Sequence, residues 1–236
     1  MKKLMWAIAF FSLAGTAAVL TVLPDSVPMH YNAAGEIDRW GSKYENLIFP
    51  LIILLMALLM SALSAYFGRK AEETPDEKEA AEMCSTSKVL IVTGAAISAM
   101  FTVMQGFILY GAYTGAKAQA TAATVDIGKV SGILMGVLFI VLGNFMPKAR
   151  MNSVIGVRTS WSMYNENTWK KSNRFGAVAL MMAGVLTVLA AIFMKSSLGA
   201  VMASLGFLTA AVIVILLYAR KVYREERAGE EKAQSN

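Results

Sequence analysis

Six mostly apolar stretches interrupt the polar residues of this chain, at residues 4–23, 47–67, 89–110, 130–145, 175–194 and 198–219. A helix of roughly 20 apolar residues crosses a hydrocarbon core about 30 Å thick and pairs its own backbone N–H and C=O groups inside it. The pattern predicts an all-α integral membrane protein with six transmembrane helices. The fourth stretch is the shortest; Gly128 and Lys129 lengthen it, with the lysine snorkelling to the interface. The first follows Met1-Lys2-Lys3, but its apolar run exceeds the ~7–15 residues of a signal-peptide core, and Ala17-Ala18 is a poor cleavage site. A retained helix is expected.

Five connections follow, at 24–46, 68–88, 111–128, 146–174 and 195–197. They divide the chain into a two-helix unit (1–67), a charged connector (68–88), a four-helix unit (89–219) and a charged tail (220–236). The connector contains a helix start at Thr74-Pro75-Asp76 and otherwise reads as solvated, and the tail reads as a frayed helix end. Neither carries an evident site. Small residues at four-residue spacing, such as Gly132 and Gly136, permit close approach of membrane helices. The methionines fit adaptable packing.

Composition agrees with lipid: 56% of the 236 residues are hydrophobic and 16% charged, against about 45–50% and about 25% in soluble domains. The net charge of +6 is distributed by side. Of the 22 Lys and Arg, 17 fall at the termini and in the second and fourth connections. By the positive-inside rule both termini are then cytoplasmic. Membrane lipid is a sufficient partner for that charge, and no direct nucleic acid contact is expected. Cys84, alone in the chain, excludes an intramolecular disulfide. No cofactor is expected.

The first connection, expected outside, reads LPDSVPMHYNAAGEIDRWGSK from Leu23. Pro24 and Pro28 stop the first helix, and Asn32 to Gly35 form a turn with Gly35 at positive φ, which makes a structured cap. It gathers Asp25, His30, Asn32, Asp38 and Lys43. His30 with Asp25 and Asp38 raises a metal reading, but this face has no second His or Cys and the spacings match no standard site, so no metal is expected. A histidine outside can instead titrate near neutrality or hold the loop through hydrogen bonds.

The fourth connection, expected inside, reads GNFMPKARMNSVIGVRTSWSMYNENTWKKSNRFGA from Gly143. Asn144 places an amide at a helix end and Pro147 terminates that helix. Lys148, Arg150, Arg158, Lys170, Lys171 and Arg174 make it basic. Trp161 and Trp169 suit the lipid–water interface, and Ser162 with Asn165-Glu166-Asn167 supplies cap chemistry for a short helix carrying Trp169. From composition alone this is an amphipathic loop lying on the inner leaflet.

Both segments resemble the SdpI family. The external one fits the pattern LPxxVPxHxNxxGxxDxxxSK of the small domain at the N-terminus of such proteins. The internal one fits GNxMPKxxxNxxIGxRTxWxxxxxxxWxKxxRxxG through Asn144, Pro147, Lys148, Asn152, Ile155, Gly156, Arg158, Thr159, Trp161, Trp169 and Arg174. Ser160 and Met151 stand where proline is expected, which implies a less rigid loop, and Asn173 stands where histidine is common.

The resemblance implies an immunity protein that protects a toxin-producing Gram-positive bacterium, in its cell membrane, from a secreted antimicrobial peptide toxin. It also implies signalling, with an ArsR-type cytoplasmic repressor sequestered when toxin is bound. Asp25, His30, Asn32, Asp38 and Lys43 would then face the toxin, and the internal motif residues the repressor. Three other classes stay open. A small-molecule or lipid transporter lacks the ionisable residues within spans that mark such routes. A membrane enzyme, acting through His30 or through Asn144 and Arg158 on a lipid phosphate, lacks a nucleophile–base pair, so no catalytic residue is assigned. In a purely structural protein the two loops only cap the bundle.

Overall fold

The computed structural model describes residues 1–32, 34–148, 150–152, 154 and 156–234; Ile155 of the internal motif and the last two residues of the tail lie outside these. Helix α1 (Lys2–Leu20) leads into an antiparallel hairpin of β1 (Ser26–Tyr31) and β2 (Ile37–Ser42). A 3-10 turn (Lys43–Leu47) opens α2 (Ile48–Glu73), which is followed by α3 (Glu77–Lys117) and α4 (Ile127–Phe145). A second 3-10 turn (Met146–Lys148) and the basic loop precede α5 (Glu166–Phe193) and α6 (Ser197–Gln234). Six helices are long and apolar enough to cross a membrane, as the hydropathy pattern predicts. The hairpin, with an isolated bridge from Glu36 to Ala122, departs from an all-helical plan.

The helices extend further than their apolar stretches. Residues 68–88, expected to be a connector, are the C-terminal turns of α2 and the N-terminal turns of α3, separated only at Thr74–Asp76. Asp76 Oδ1 caps α3 by accepting the Glu79 N–H at 2.8 Å. Hydropathy marks where lipid ends, whereas Ala, Glu and Lys, which dominate this segment, propagate a helix in water. α5 likewise begins at Glu166 instead of 175, and α6 stays helical to Gln234, so the tail is not a frayed end. α1 ends at Leu20, ahead of Pro24 and Pro28.

α1, α2 and α3 pack as one group, α4, α5 and α6 as another, and α3 against α4 joins them. Met5, Ala9, Ile53, Ala57, Ile91 and Ala95 are the core of the first group. Lipid is as apolar as these side chains, so close fit and small residues hold such helices together. In the second group a Cβ on Gly136 would stand 2.6 Å from the Gly184 carbonyl oxygen, and the reverse is also true. Only glycine permits that backbone approach.

Antiparallel succession puts the hairpin, residues 118–126 and the α5–α6 turn at one end. The chain termini, the Thr74 turn and the basic loop occupy the other.

Candidate functional site

The hairpin end is built around one buried valine. Val27 is fully buried and packs with Leu20, Leu23, Leu109 and Ala112, which fastens β1 to the ends of α1 and α3. Pro28 lies against Gly115 of α3. Two further backbone bonds, Ile37 N–H to Thr121 O at 2.9 Å and Ala123 N–H to Gly35 O at 2.7 Å, stitch the hairpin to the third connection.

Within the hairpin, Asn32 organises the turn. Its Oδ1 accepts the N–H groups of Ala34 (2.9 Å) and Glu36 (3.0 Å), its Nδ2 donates to Glu36 Oε2 at 2.8 Å, and Gly35 has φ +82°, as expected from the sequence. His30 Nδ1 lies 2.6 Å from Asp38 Oδ1, with the two side chains 63% and 42% exposed. Asp25 is drawn away to Lys43, whose Nζ lies 3.0 Å from Asp25 Oδ1 and donates to the Leu23 carbonyl at 3.2 Å. His30, Asp25 and Asp38 therefore do not converge, and among the described residues no three His, Cys, Asp or Glu side chains form a metal-sized cluster.

Arg39 pairs with Glu45 at 3.0 Å, and Glu45 Oε1 closes a capping box by accepting the Ser42 N–H at 3.0 Å. Burial pushes the Tyr31 phenol up from its ordinary range. The result is a rigid platform that turns Trp40, 41% exposed, and the His30–Asp38 pair toward solvent.

At the basic end the motif residues separate into those that hold the loop and those that face water. Asn152, 2% exposed, accepts the Val154 N–H and donates to the Arg150 carbonyl, both at 2.9 Å. Gly156 has φ +123°, and a Cβ there would overlap Asn173 Oδ1 and the Trp169 ring. Thr159 and Ser162 lock a turn: the Thr159 N–H donates to Ser162 Oγ at 2.9 Å, and Ser162 Oγ donates to the Val157 carbonyl at 2.6 Å. Trp169 is only 3% exposed, so it plugs the end of the bundle and is not an interfacial anchor. The short helix expected to carry it is the first turns of α5, capped by Asn165 Oδ1 on the Thr168 N–H at 2.8 Å. Trp161 is half-buried beneath the Arg220 guanidinium, 5.7 Å from the ring centre.

Asn144, Pro147, Lys148, Arg150, Arg158 and Arg174 are exposed, and none of these four cations has a carboxylate partner among the described residues. Lys148, Arg150 and Trp169 share a groove of about 670 Å³ with Glu77, Glu82 and Lys170. Two of the carboxylates of that groove, Glu77 and Glu82, come from the start of α3, a segment whose sequence shows no motif, and the third, Glu166, from the first turn of α5.

Two residues outside the predicted set hold this end together. Asn173, 1% exposed, accepts the Val157 N–H at 2.9 Å and donates to the Trp169 carbonyl at 3.0 Å. Its only sequence signal is that it departs from the family pattern. Glu226 of α6 accepts from Asn165 at 3.2 Å and Asn167 at 2.6 Å and sits 3.9 Å from Lys171 Nζ. The adjacent Tyr164 donates to Glu230 at 2.6 Å, and that bond holds its phenol in the protonated form to higher pH.

The SdpI/YfhL protein family model matches residues 148–219, and a domain of unknown function, DUF1648, matches residues 7–54. The chain is 22% identical over 196 residues to Immunity protein SdpI of Bacillus subtilis (strain 168), covering 82% of this chain and 83% of that one. It is 29% identical over 110 residues to the uncharacterized protein YfhL of the same organism, covering 46% of this chain and 98% of that one. No solved structure matches. The family is not an enzyme family. With six membrane-length helices, this kinship makes the molecule a multi-pass protein of the bacterial cell membrane. Its basic loop, α5 and most of the apolar part of α6 are the region that matches the SdpI/YfhL family model.

Proposed function

We propose that this protein confers immunity to a secreted antimicrobial peptide, meeting the peptide at the hairpin on the outer face and engaging an ArsR-type repressor at the basic cytoplasmic end. Similarity to Immunity protein SdpI along most of the chain supports a membrane immunity-type function. The observation that carries the two-sided reading is the placement of the hairpin and the basic loop at opposite ends of one helical bundle. The excess of Lys and Arg at the loop end orients that end to the cytoplasm, with both termini.

Each end has suitable chemistry. Trp40, His30 with Asp38, and Arg39 with Glu45 offer a peptide one exposed ring and both signs of charge on a platform that is already ordered. Lys148, Arg150, Arg158 and Arg174 offer a partner exposed cations beside a groove. For toxin to alter the inner end, it must bind two arrangements of the bundle with different affinity.

Expression in a toxin-sensitive host tests the outer half. His30→Ala, Asp38→Ala and Trp40→Ala are expected to lower survival at unchanged membrane abundance; full protection by all three removes the hairpin from the mechanism. For the inner half, Arg158→Gln with Arg174→Gln is expected to release a co-expressed repressor from the membrane fraction in the presence of toxin. Retention of the repressor rejects that half alone.

A further inference from the structure

Near the hairpin, α3 and α4 approach closely: Ser131 Oγ, which donates to the Ile127 carbonyl at 2.7 Å, lies 3.9 Å from Met104 Sδ, and Val125, just ahead of α4, packs on Gly111. Toward the basic end a crevice of about 230 Å³ lies between the same two helices, at the seam of the two helical groups. Its walls are Val89 and Val92 of α3 and Leu142 and Phe145 of α4, and its lining includes Lys88 and Lys148. These walls belong to the apolar stretches, so the space opens within the membrane, where a void against hydrocarbon is filled by acyl chain.

Three features distinguish this space from ordinary helix packing. Both lysines are exposed and have no ion-pair partner among the described residues. Glu77, Glu82 and Glu166 line the larger adjoining groove, and no carboxylate lines the crevice. Thr93 Oγ1, also in the lining, is buried with no hydrogen-bond partner. It stands five residues past Lys88, ~7.5 Å further along the helix toward the membrane interior.

We infer that this crevice binds an anionic phospholipid. The phosphate sits between Lys88 and Lys148, the Thr93 hydroxyl donates to a glycerol-ester oxygen, and one acyl chain runs along Val92 and Leu142. Basic pockets between membrane helices recognise anionic head groups in this way, because a phosphate brings the counter-charge and the tail fills the space. The lipid would then wedge the seam between the group that carries the hairpin and the group that carries the basic loop.

Native mass spectrometry of the full chain in detergent, titrated with phosphatidylglycerol or phosphatidylcholine of matched chains, is the test. Each lysine contributes roughly a fivefold preference for the anionic lipid. Wild type is expected to show that preference, Lys88→Gln with Lys148→Gln to lose it, and Lys70→Gln, elsewhere on the same end, to keep it. Leu142→Trp, which fills the crevice without a change of charge, is expected to weaken both lipids. Equal retention of the two lipids by wild type, or full preference in the double variant, overturns the site. Displacement of phosphatidylglycerol by inorganic phosphate overturns the lipid assignment. If the variants do not fold, the wild-type melting temperature decides: a larger rise with phosphatidylglycerol than with phosphatidylcholine supports the site, and equal rises overturn it.

Discussion

Asn173 reaches across 16 positions of sequence to accept the Val157 N–H at 2.9 Å, while its amide donates to the Trp169 carbonyl one helical turn earlier. One buried side chain thereby joins the basic loop to α5 and seats the tryptophan that closes the bundle.

Replacing it strands a buried donor. Asn173→Leu leaves the Val157 N–H without a partner, at a cost of about 1–3 kcal/mol. Melting in detergent reads this as a lowered midpoint, with increased solvent quenching of Trp169 fluorescence. An unchanged midpoint would mean that water replaces the amide.

Gly156→Ala strikes the same spot from the other side. At φ +123° an L side chain is strained, by about 1–3 kcal/mol, and the new methyl meets Asn173 Oδ1 and Trp169. The loss is expected to equal or exceed that of Asn173→Leu, measured by the same melting curves. The double variant should lose less than the sum, since the two residues touch.

Gly136→Leu places a side chain where the Gly184 carbonyl already stands 2.6 Å from an ideal Cβ position. It forces α4 off α5 and is expected to cost about 1–3 kcal/mol or more. Unaltered stability would show that the two helices do not cross here.

How much of this was legible beforehand differs by feature. The six spans were, because lipid leaves so few ways to satisfy a backbone. The Asn32–Gly35 turn was legible too, from residues that suit αL and Asx geometry. The strands beside it were not: SVPMHY and IDRWGS show no clean alternation and carry a proline and a glycine. Trp169 was misplaced because an indole serves equally well as interfacial anchor or plug, and only the fold decides. Glu226 lies 61 residues from Asn165, and nothing local marks their pairing.

Glu226→Ala removes the acceptor shared by Asn165 and Asn167. Hydrogen bonds to a half-buried carboxylate contribute about 1.5–3 kcal/mol, and their loss loosens the end of α6. Limited trypsin digestion is expected to cut at Arg224 and Arg227 several-fold faster than in wild type. Equal rates would place the tail's order elsewhere.

Tyr31 gives the hairpin an alkaline limit. Burial raises its folded pKa above the ordinary 10.0. The folded state therefore holds the phenolic proton more tightly, so stability is intact below about pH 10 and declines as pH rises toward and through the raised value. Tyr31→Phe is expected to flatten that decline in melting curves taken across the alkaline range. Parallel curves for the two proteins would show that the phenol does not contribute.

Helix α3 runs unbroken for 41 residues, ~60 Å at 1.5 Å per residue, about twice the thickness of the hydrocarbon it crosses. One rigid element therefore spans from Gly115, under the hairpin, to Glu77, in the basic groove; a tilt about the bilayer midplane would displace those two ends in opposite directions by comparable distances without any rearrangement inside the helix.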